Sequence, residues 1–379
     1  MVVTASNNAA KVNGDGLPPC AEVGQAEQCR IRTIDRPNCI LCGGQGQAVY
    51  SGQRDRLFGA TGSWNFKICP NGECGLVWLD PMPTREDLGK AYANYYTHTA
   101  RNGAGRLKLL KRIMTLAQRG YWAGEYGYSA GSAPVLAKSL GRLLSLSPIH
   151  RREADAAVRC LPSVPHGHLL DVGCGSGDWL LEMRQRGWTV EGFDFDENAV
   201  KLARQKGLKV ECGSLEEQNY RADCFDAITL NHVIEHVPDP VRTLAECARI
   251  LKPGGKLVLF TPNTTSLGHR WFKECWRGLE PPRHLHIFSM KSLRRTLASA
   301  GFQDMTILPF IVTSVIYESL LLRWRRTGSA SGSPRSWTAW GITRLFKLLE
   351  LCLLPWNPAL GDCVIAVAVK TSREQACKT

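Results

Sequence analysis

The stretch Asp171-Val172-Gly173-Cys174-Gly175-Ser176-Gly177 sets three glycines at alternate positions between an apolar run, Leu169-Leu170, and a helix-forming segment that opens at Asp178. Glycines so spaced let a strand turn tightly into a helix and let a ligand lie against bare backbone, while the first N–H groups of the helix face that ligand. The dinucleotide fingerprint requires glycine where this chain has Asp178, so the spacing argues against a pyrophosphate cradle and points away from NAD. Asp171, which closes the strand, suits a cationic ligand better than an anionic one. About twenty residues past the loop, Asp194 ends a second apolar run, at the place from which a carboxylate bridges the two hydroxyls of a ribose; a helix cap is the plain alternative. After a third run, Leu208-Lys209-Val210-Glu211-Cys212, the turn Gly213-Ser214-Leu215-Glu216 can meet an adenine edge through its backbone groups. Loop and acid together describe a nucleoside site.

A second group of residues is titratable. Phe225 to Asn231 reads as a fourth strand and delivers His232, Glu235 and His236 to the carboxyl edge, where ligands sit in such sheets. His284 lies further on, in a loop with Trp271, Trp276, Arg283, His286 and Phe288 that is long and aromatic enough to wall a substrate pocket. Imidazole titrates near working pH, so His232, His236 and His284 are the candidates for a general base. Glu235 can orient one of them or, with His236, ligate a metal; a structural role is the alternative for each. A third group is the pair Cys39 and Cys42 with the pair Cys69 and Cys74, each closed by glycine. Such pairs on tight turns can present four sulfurs to one Zn²⁺. Trp64 to Ile68 and Leu76 to Leu79 read as strands beside them, so the module reads as a zinc ribbon, with ordinary free thiols as the alternative.

The elements that must position these residues follow from the periodicity. Strand and helix patterns alternate from Leu169 to Val369, the rhythm of a doubly wound α/β sheet. The expected organisation is a disordered leader over 1–35, a ribbon over 36–83, a basic helical cap or linker over 84–160, and an α/β domain over 161–379 with an insertion at 312–361. Arginines flank leucine and tryptophan in that insertion, which suits an interfacial helix touching a membrane, and equally a buried or dimerising one. The net charge of +13 over 379 residues favours acidic partners: nucleic acid, phosphorylated substrates or anionic membrane. Most of the 15 cysteines stand singly and no signal peptide precedes them, which favours a reducing cytoplasm. No apolar run reaches the roughly 18 to 20 residues of a membrane span. The expected location is therefore cytoplasmic, peripheral to the membrane if the insertion touches it.

With Asp194, Asn231-His232-Val233-Ile234-Glu235-His236-Val237, Leu251-Lys252-Pro253-Gly254-Gly255 and Thr261-Pro262-Asn263, the glycine stretch resembles the ordered motifs of class I S-adenosylmethionine-dependent methyltransferases. The likeness is to the small-molecule group that includes the ubiquinone-biosynthesis O-methyltransferases. It covers roughly Gly167 to Val369, and the ribbon resembles that of members acting on sugars and other secondary metabolites. The resemblance implies a seven-stranded Rossmann-like sheet whose last strand runs antiparallel. It implies that Gly173, Gly175 and Gly177 pass beneath the methionine part of the cofactor, with Asp171 near its amino group and Asp194 on the ribose. Phe195 and Asn231 are expected beside the same cofactor, and Ser214 and Leu215 at the adenine. The implied reaction is methyl transfer to a small-molecule hydroxyl, of a secondary metabolite or sugar; carbon of a nucleotide-linked sugar is the alternative. An RNA acceptor is opposed by Asn231-His232-Val233-Ile234, because base-amino methylation usually employs Asn/Asp-Pro-Pro-aromatic there. Intact glycines and acids argue against a binding protein that has lost activity.

Overall fold

The computed structural model describes residues 30–93, 108–129, 131, 134–327 and 337–371. β1 (Thr33–Ile34) pairs with β5 (Met82–Pro83), while β2 (Gln47–Gln53), β3 (Trp64–Ile68) and β4 (Val77–Leu79) form an antiparallel meander. Trp64 and Phe66 alternate with half-buried residues along β3, as period-two burial requires, and pack with Val77 and Leu79. Ile31 is buried beside them, so the ordered chain reaches back into the stretch expected to be leader up to residue 35. Residues 1–29 lie outside the described residues, as do Tyr95, Tyr96 and the Gly/Ser linker at 328–333.

Three helices follow: α1 (Lys108–Glu125), α2 (Pro134–Ser145) and α3 (Pro148–Ala157). α1 and α2 cross where a Cβ on Gly120 would stand 1.6 Å from the Ala137 carbonyl oxygen, so only glycine permits this approach. This helical segment packs on the large sheet. Tyr121, Trp122 and Tyr128 are buried with residues of the large sheet, and the Trp188 indole donates to the Tyr128 hydroxyl at 3.1 Å.

That sheet has five parallel strands: β6 (His168–Val172), β7 (Thr189–Asp194), β8 (Lys209–Cys212), β9 (Phe225–Asn231) and β10 (Leu251–Pro262). Downstream lie β11 (His286–Ile287), β12 (Asp304–Phe310) and β13 (Cys363–Val369). The seven-stranded order is β12-β13-β10-β9-β6-β7-β8, with β13 antiparallel to both neighbours. Buried on both faces, the central strands are nearly continuous in Leu, Val, Ile and Phe. The connecting helices are α4 (Asp178–Gln185), α5 (Glu197–Gln205), α6 (Pro240–Ile250), α7 (Leu267–Phe272), α8 (Met290–Ser299), α9 (Thr313–Thr327) and α10 (Trp337–Leu353). Asp196 caps α5 and Asp239 caps α6, each side chain accepting from the backbone N–H two or three residues on. Strand order reverses between β6 and β9, which opens a crevice at their carboxyl ends.

β11 leaves the α/β domain and pairs with β4, His286 opposite Trp78, so the ribbon sheet runs β11-β4-β3-β2. The loop expected to wall a pocket is thus largely the joint between the two modules. Trp276, Arg283, His286 and Phe288 are buried, while Trp271 stays exposed. Arg283 is fully buried and donates to Asp55 of the ribbon at 2.8 Å and to Glu280 at 2.9 Å; Arg277 pairs with Glu280 and with Glu318 of α9. The Ser289 hydroxyl, which opens α8, also donates to the Cys74 carbonyl at 3.1 Å.

His286 has no hydrogen-bond partner for either ring nitrogen among the described residues. Burial, aided by the Arg36 charge, pushes it down to about 3 from its ordinary 6.5. The unfolded chain therefore takes up a proton below about pH 6.5 that the folded chain refuses until about pH 3, and stability falls as pH falls through that window. Urea unfolding should show His286 contributing a loss of about 2 kcal/mol between pH 7 and pH 5. His286→Leu should flatten the profile by that amount, and an unchanged slope would place the titration elsewhere.

Candidate active site and metal centres

At the end of β6 the chain turns through Gly173, Gly175 and Gly177 with φ of 68°, 55° and 75°, the left-handed region. A Cβ on Gly173 would stand 2.5 Å from Val233 Cγ2, and one on Gly177 2.4 Å from Leu208 Cδ1. The loop is held by Asp194 at the end of β7: Oδ2 accepts from the Gly175 N–H at 2.8 Å and Oδ1 from the Asp196 N–H at 2.9 Å. Asp171 is buried beneath it. Its Oδ1 takes Arg159 and the Thr229 hydroxyl, while Oδ2 has no partner among the described residues. Arg159 also donates to Thr229 and lies 3.6 Å over the Trp179 ring. Phe195 is 66% exposed next to Asp194, a large apolar side chain left at the crevice. Ser214 is buried and takes a hydrogen bond from Arg85 at 3.3 Å, while the Leu215 side chain belongs to the core.

The end of β9 carries the titratable group. His232 has φ of 56°, which costs a non-glycine residue on the order of 1 to 3 kcal/mol, and its N–H donates to the Phe260 carbonyl at 3.0 Å. Its Nδ1 lies 3.1 Å from Glu235 Oε1, and 41% of its side chain is exposed. Glu235 is wholly buried and accepts from the Thr261 hydroxyl at 3.1 Å on its other oxygen. Burial alone would raise this carboxyl; the hydrogen bond and charge of His232, then His236 and His284, outweigh it and hold the group at about 2. His236 Nδ1 lies 3.0 Å from the Arg283 carbonyl and 2.9 Å from the Tyr92 hydroxyl. His284 Nδ1 lies 2.7 Å from the Gly278 carbonyl. Burial, with His236 adding to it, pushes His284 down to about 4, so it is neutral at pH 7. One donor atom each from Glu235, His236 and His284 lie within 4.8 Å of one another, a set that could hold a metal.

Cys39, Cys42, Cys69 and Cys74 also converge, all four sulfurs within 4.8 Å. The Sγ separations of 3.7 Å for Cys39 and Cys74 and 3.3 Å for Cys42 and Cys69 are far beyond a disulfide bond of about 2.05 Å. Short turns aim the thiols: the Cys39 N–H donates to Gly44 and the Cys74 N–H to Asn71.

The structure thus gathers the three glycines, Asp171, Asp194, Phe195, Asn231, His232 and His236 around one crevice, and sets His284 behind them as a buried neighbour. The sequence reading missed Arg159 and Thr229, isolated polar residues whose partners lie up to 70 positions away, and assigned Thr261 no part in the site. It also missed Arg85. That residue and Tyr92 come from the segment after the ribbon and reach Ser214 and His236.

A reversed parallel sheet with a glycine loop facing an acid on the next strand is the architecture of a Rossmann-like domain. Residues 146–307, rather under half of the chain, match the family model described as "Methyltransferase domain". Over that stretch the chain resembles a methyltransferase domain. It is 36% identical over 134 residues to a ubiquinone biosynthesis O-methyltransferase of Alkalilimnicola ehrlichii, covering 32% of this chain and 53% of that protein. It is 38% identical over 102 residues to one of Coxiella burnetii, covering 25% and 44%. The chain thus spans about half the length of these relatives. Among solved structures, a SAM-dependent methyltransferase of Thermotoga maritima, described as a possible histamine N-methyltransferase, aligns with a TM-score of 0.39 and 18% identity over 68% of this chain and all of that one.

The loop geometry carries its own test. Gly173→Ala combines a positive φ with a collision against Val233, so calorimetric titration should show cofactor affinity falling about tenfold or more. Adding Val233→Ala should recover part of that loss; no recovery would mean that φ alone matters.

Proposed function

We propose that the protein transfers the methyl group of S-adenosylmethionine to a hydroxyl of a small-molecule acceptor. The observation that carries this reading is the pairing, across the β6/β9 switch point, of a glycine loop tied down by Asp194 with an exposed His232 backed by a buried Glu235. The left-handed turns at Gly173, Gly175 and Gly177 leave bare backbone at the end of β6, which suits a ligand lying against it. In this reading Gly173, Gly175 and Gly177 pass beneath the methionine part, Asp171 contributes its free Oδ2 from below, and Asp194 exchanges its backbone partners for the ribose hydroxyls. Phe195 and Asn231 flank the cofactor, and Ser214 and Leu215 meet the adenine through backbone groups. The cofactor supplies an already activated methyl group, so positioning accounts for most of the acceleration.

What remains for the chain is the proton of the acceptor. Glu235 accepts from His232 Nδ1, which leaves the lone pair on Nε2. Nε2 takes the proton of the acceptor hydroxyl, and the buried carboxylate stabilises the imidazolium. His284 is neutral and turned to Gly278, which makes it the poorer base. The names of the relatives, O-methyltransferases, support oxygen as the acceptor atom.

One observation favours a second reading of the same corner. His236 and His284 both turn Nδ1 to a backbone carbonyl, an acceptor only, so each carries its hydrogen there and leaves the lone pair on Nε2, which in His284 lies 3.5 Å from Glu280. That is the outer-shell arrangement of metal-ligating histidines. Glu235, His236 and His284 would then hold a divalent ion that lowers the acceptor's pKa. We also infer one structural Zn²⁺ at Cys39, Cys42, Cys69 and Cys74, because zinc–sulfur bonds of about 2.3 Å place sulfurs about 3.8 Å apart in a tetrahedron.

Methyl transfer is followed as S-adenosylhomocysteine released with a panel of phenolic and sugar hydroxyl acceptors. His232→Ala should lower kcat by about 10² to 10⁴ with cofactor affinity kept, whereas Asp194→Ala should weaken cofactor binding severely. Unchanged affinity in the second variant would sink the ribose assignment. Elemental analysis should find one zinc lost in Cys39→Ser/Cys42→Ser. A further equivalent that survives in that variant and disappears in His284→Gln would establish the metal reading over the base.

A further inference from the structure

α10 is a helix whose polarity is turned inside out. Its inward face carries Ala339, Thr343, Phe346 and Glu350, while its outward face carries Trp340, Ile342, Leu345, Leu348, Leu349 and Leu353. Leu345 is 60% exposed and Leu348 58%, and Trp356 just beyond the helix is 88% exposed. A surface helix of a soluble protein shows the opposite arrangement, and a contiguous apolar patch of this kind marks an interaction site. Trp271 of α7, 63% exposed, stands beside the helix with its ring 6.2 Å from that of the inward Phe346.

The charges choose the partner. Among the described residues the outward face of α10 holds Arg344 and no carboxylate; its one acid, Glu350, is buried on the inward face. The elements packed against it expose Arg270 and Lys273 beside Trp271, and Arg323 on α9. The acids near this side are occupied: Glu274 pairs with Arg326, and Glu153 lies 3.9 Å from Lys347. The whole chain carries +13. No helix among the described residues is long and apolar enough to cross a membrane, so such a face lies in an interface rather than spanning it. Tryptophans at both ends with cations at the rim match the headgroup level of a bilayer.

We propose that the outward face of α10, with Trp356 and Trp271, docks the protein on an anionic lipid bilayer. The leucines enter the boundary between headgroups and acyl chains, and Arg270, Lys273, Arg323 and Arg344 meet lipid phosphates. This stands apart from the methyl-transfer reading, since docking is measured with neither cofactor nor acceptor present.

The test is flotation of the full-length protein with vesicles of phosphatidylcholine alone and of phosphatidylcholine with about 30% phosphatidylglycerol. Binding to the anionic vesicles should be at least about tenfold stronger and should weaken in high salt. Leu345→Glu/Leu349→Glu should lose about tenfold or more of that binding, and Trp356→Ala should weaken it several-fold. Trp356 lies outside the helix, so this variant decides the matter if the double variant fails to fold. Wild-type binding by Trp356→Ala, or no binding of the wild type to anionic vesicles, would overturn the proposal. So would a dimer in light scattering that the double variant converts to monomer, since the face would then belong to a second copy.

Discussion

Arg283 is the interaction on which the arrangement of the two modules depends. A fully buried guanidinium is costly unless every charge around it is placed, and here Asp55 and Glu280 flank it while the Ala91 carbonyl takes a further N–H at 2.9 Å. These partners come from the ribbon, the joint loop and the segment after the ribbon. Removing one member of such a group leaves an uncompensated buried charge, a loss on the order of 3 to 5 kcal/mol. With β11 paired to β4, the ribbon cannot swing independently of the sheet. Its following segment therefore reaches the crevice at fixed points, Arg85 on Ser214 and Tyr92 on His236.

Inside the crevice Glu235 plays the corresponding part. It is the one buried acid that touches both the exposed His232 and the Thr261 hydroxyl, and it lies beside His236 and His284. A carboxylate in that position remains ionised despite burial only because imidazoles and a hydroxyl face it. The same property suits it to hold an imidazolium or to ligate a cation. The strained backbone of His232 is consistent with either use, because the Phe260 carbonyl and Glu235 hold the residue at both its N–H and its Nδ1.

What could be read in the sequence was local or periodic. The glycine loop, the strand–helix alternation and the four cysteines are each specified by neighbours within a few residues. Asp194 was legible because its distance from the loop is set by one helix and one strand. The aromatic loop was misjudged as a pocket wall, since its composition is equally that of a buried joint and only the pairing of His286 with Trp78 distinguishes the two. Arg159 could not be found at all. Nothing in its vicinity marks it, and it acquires meaning only when β6 and β9 bring Asp171 and Thr229 together.

The insertion between β12 and β13 shows how the two kinds of information combine. Its apolar helix was visible in sequence, but composition alone left burial, dimerisation and lipid contact equal. The structure rules out burial of the whole helix: the residues facing the protein include Thr343, Phe346 and Glu350, while Trp340, Ile342, Leu345, Leu348 and Leu349 are exposed beside Arg344. A helix selected only to cover the sheet edge would place its leucines inward. The insertion begins after β12 and ends at β13, whose first residue, Cys363, stands opposite Pro262 at the carboxyl end of β10. The outward-turned helix is therefore rooted at the same edge of the sheet as the glycine loop and His232. An acceptor dissolved in lipid would meet the protein at that edge, whereas one dissolved in water would gain nothing from so exposed an apolar face.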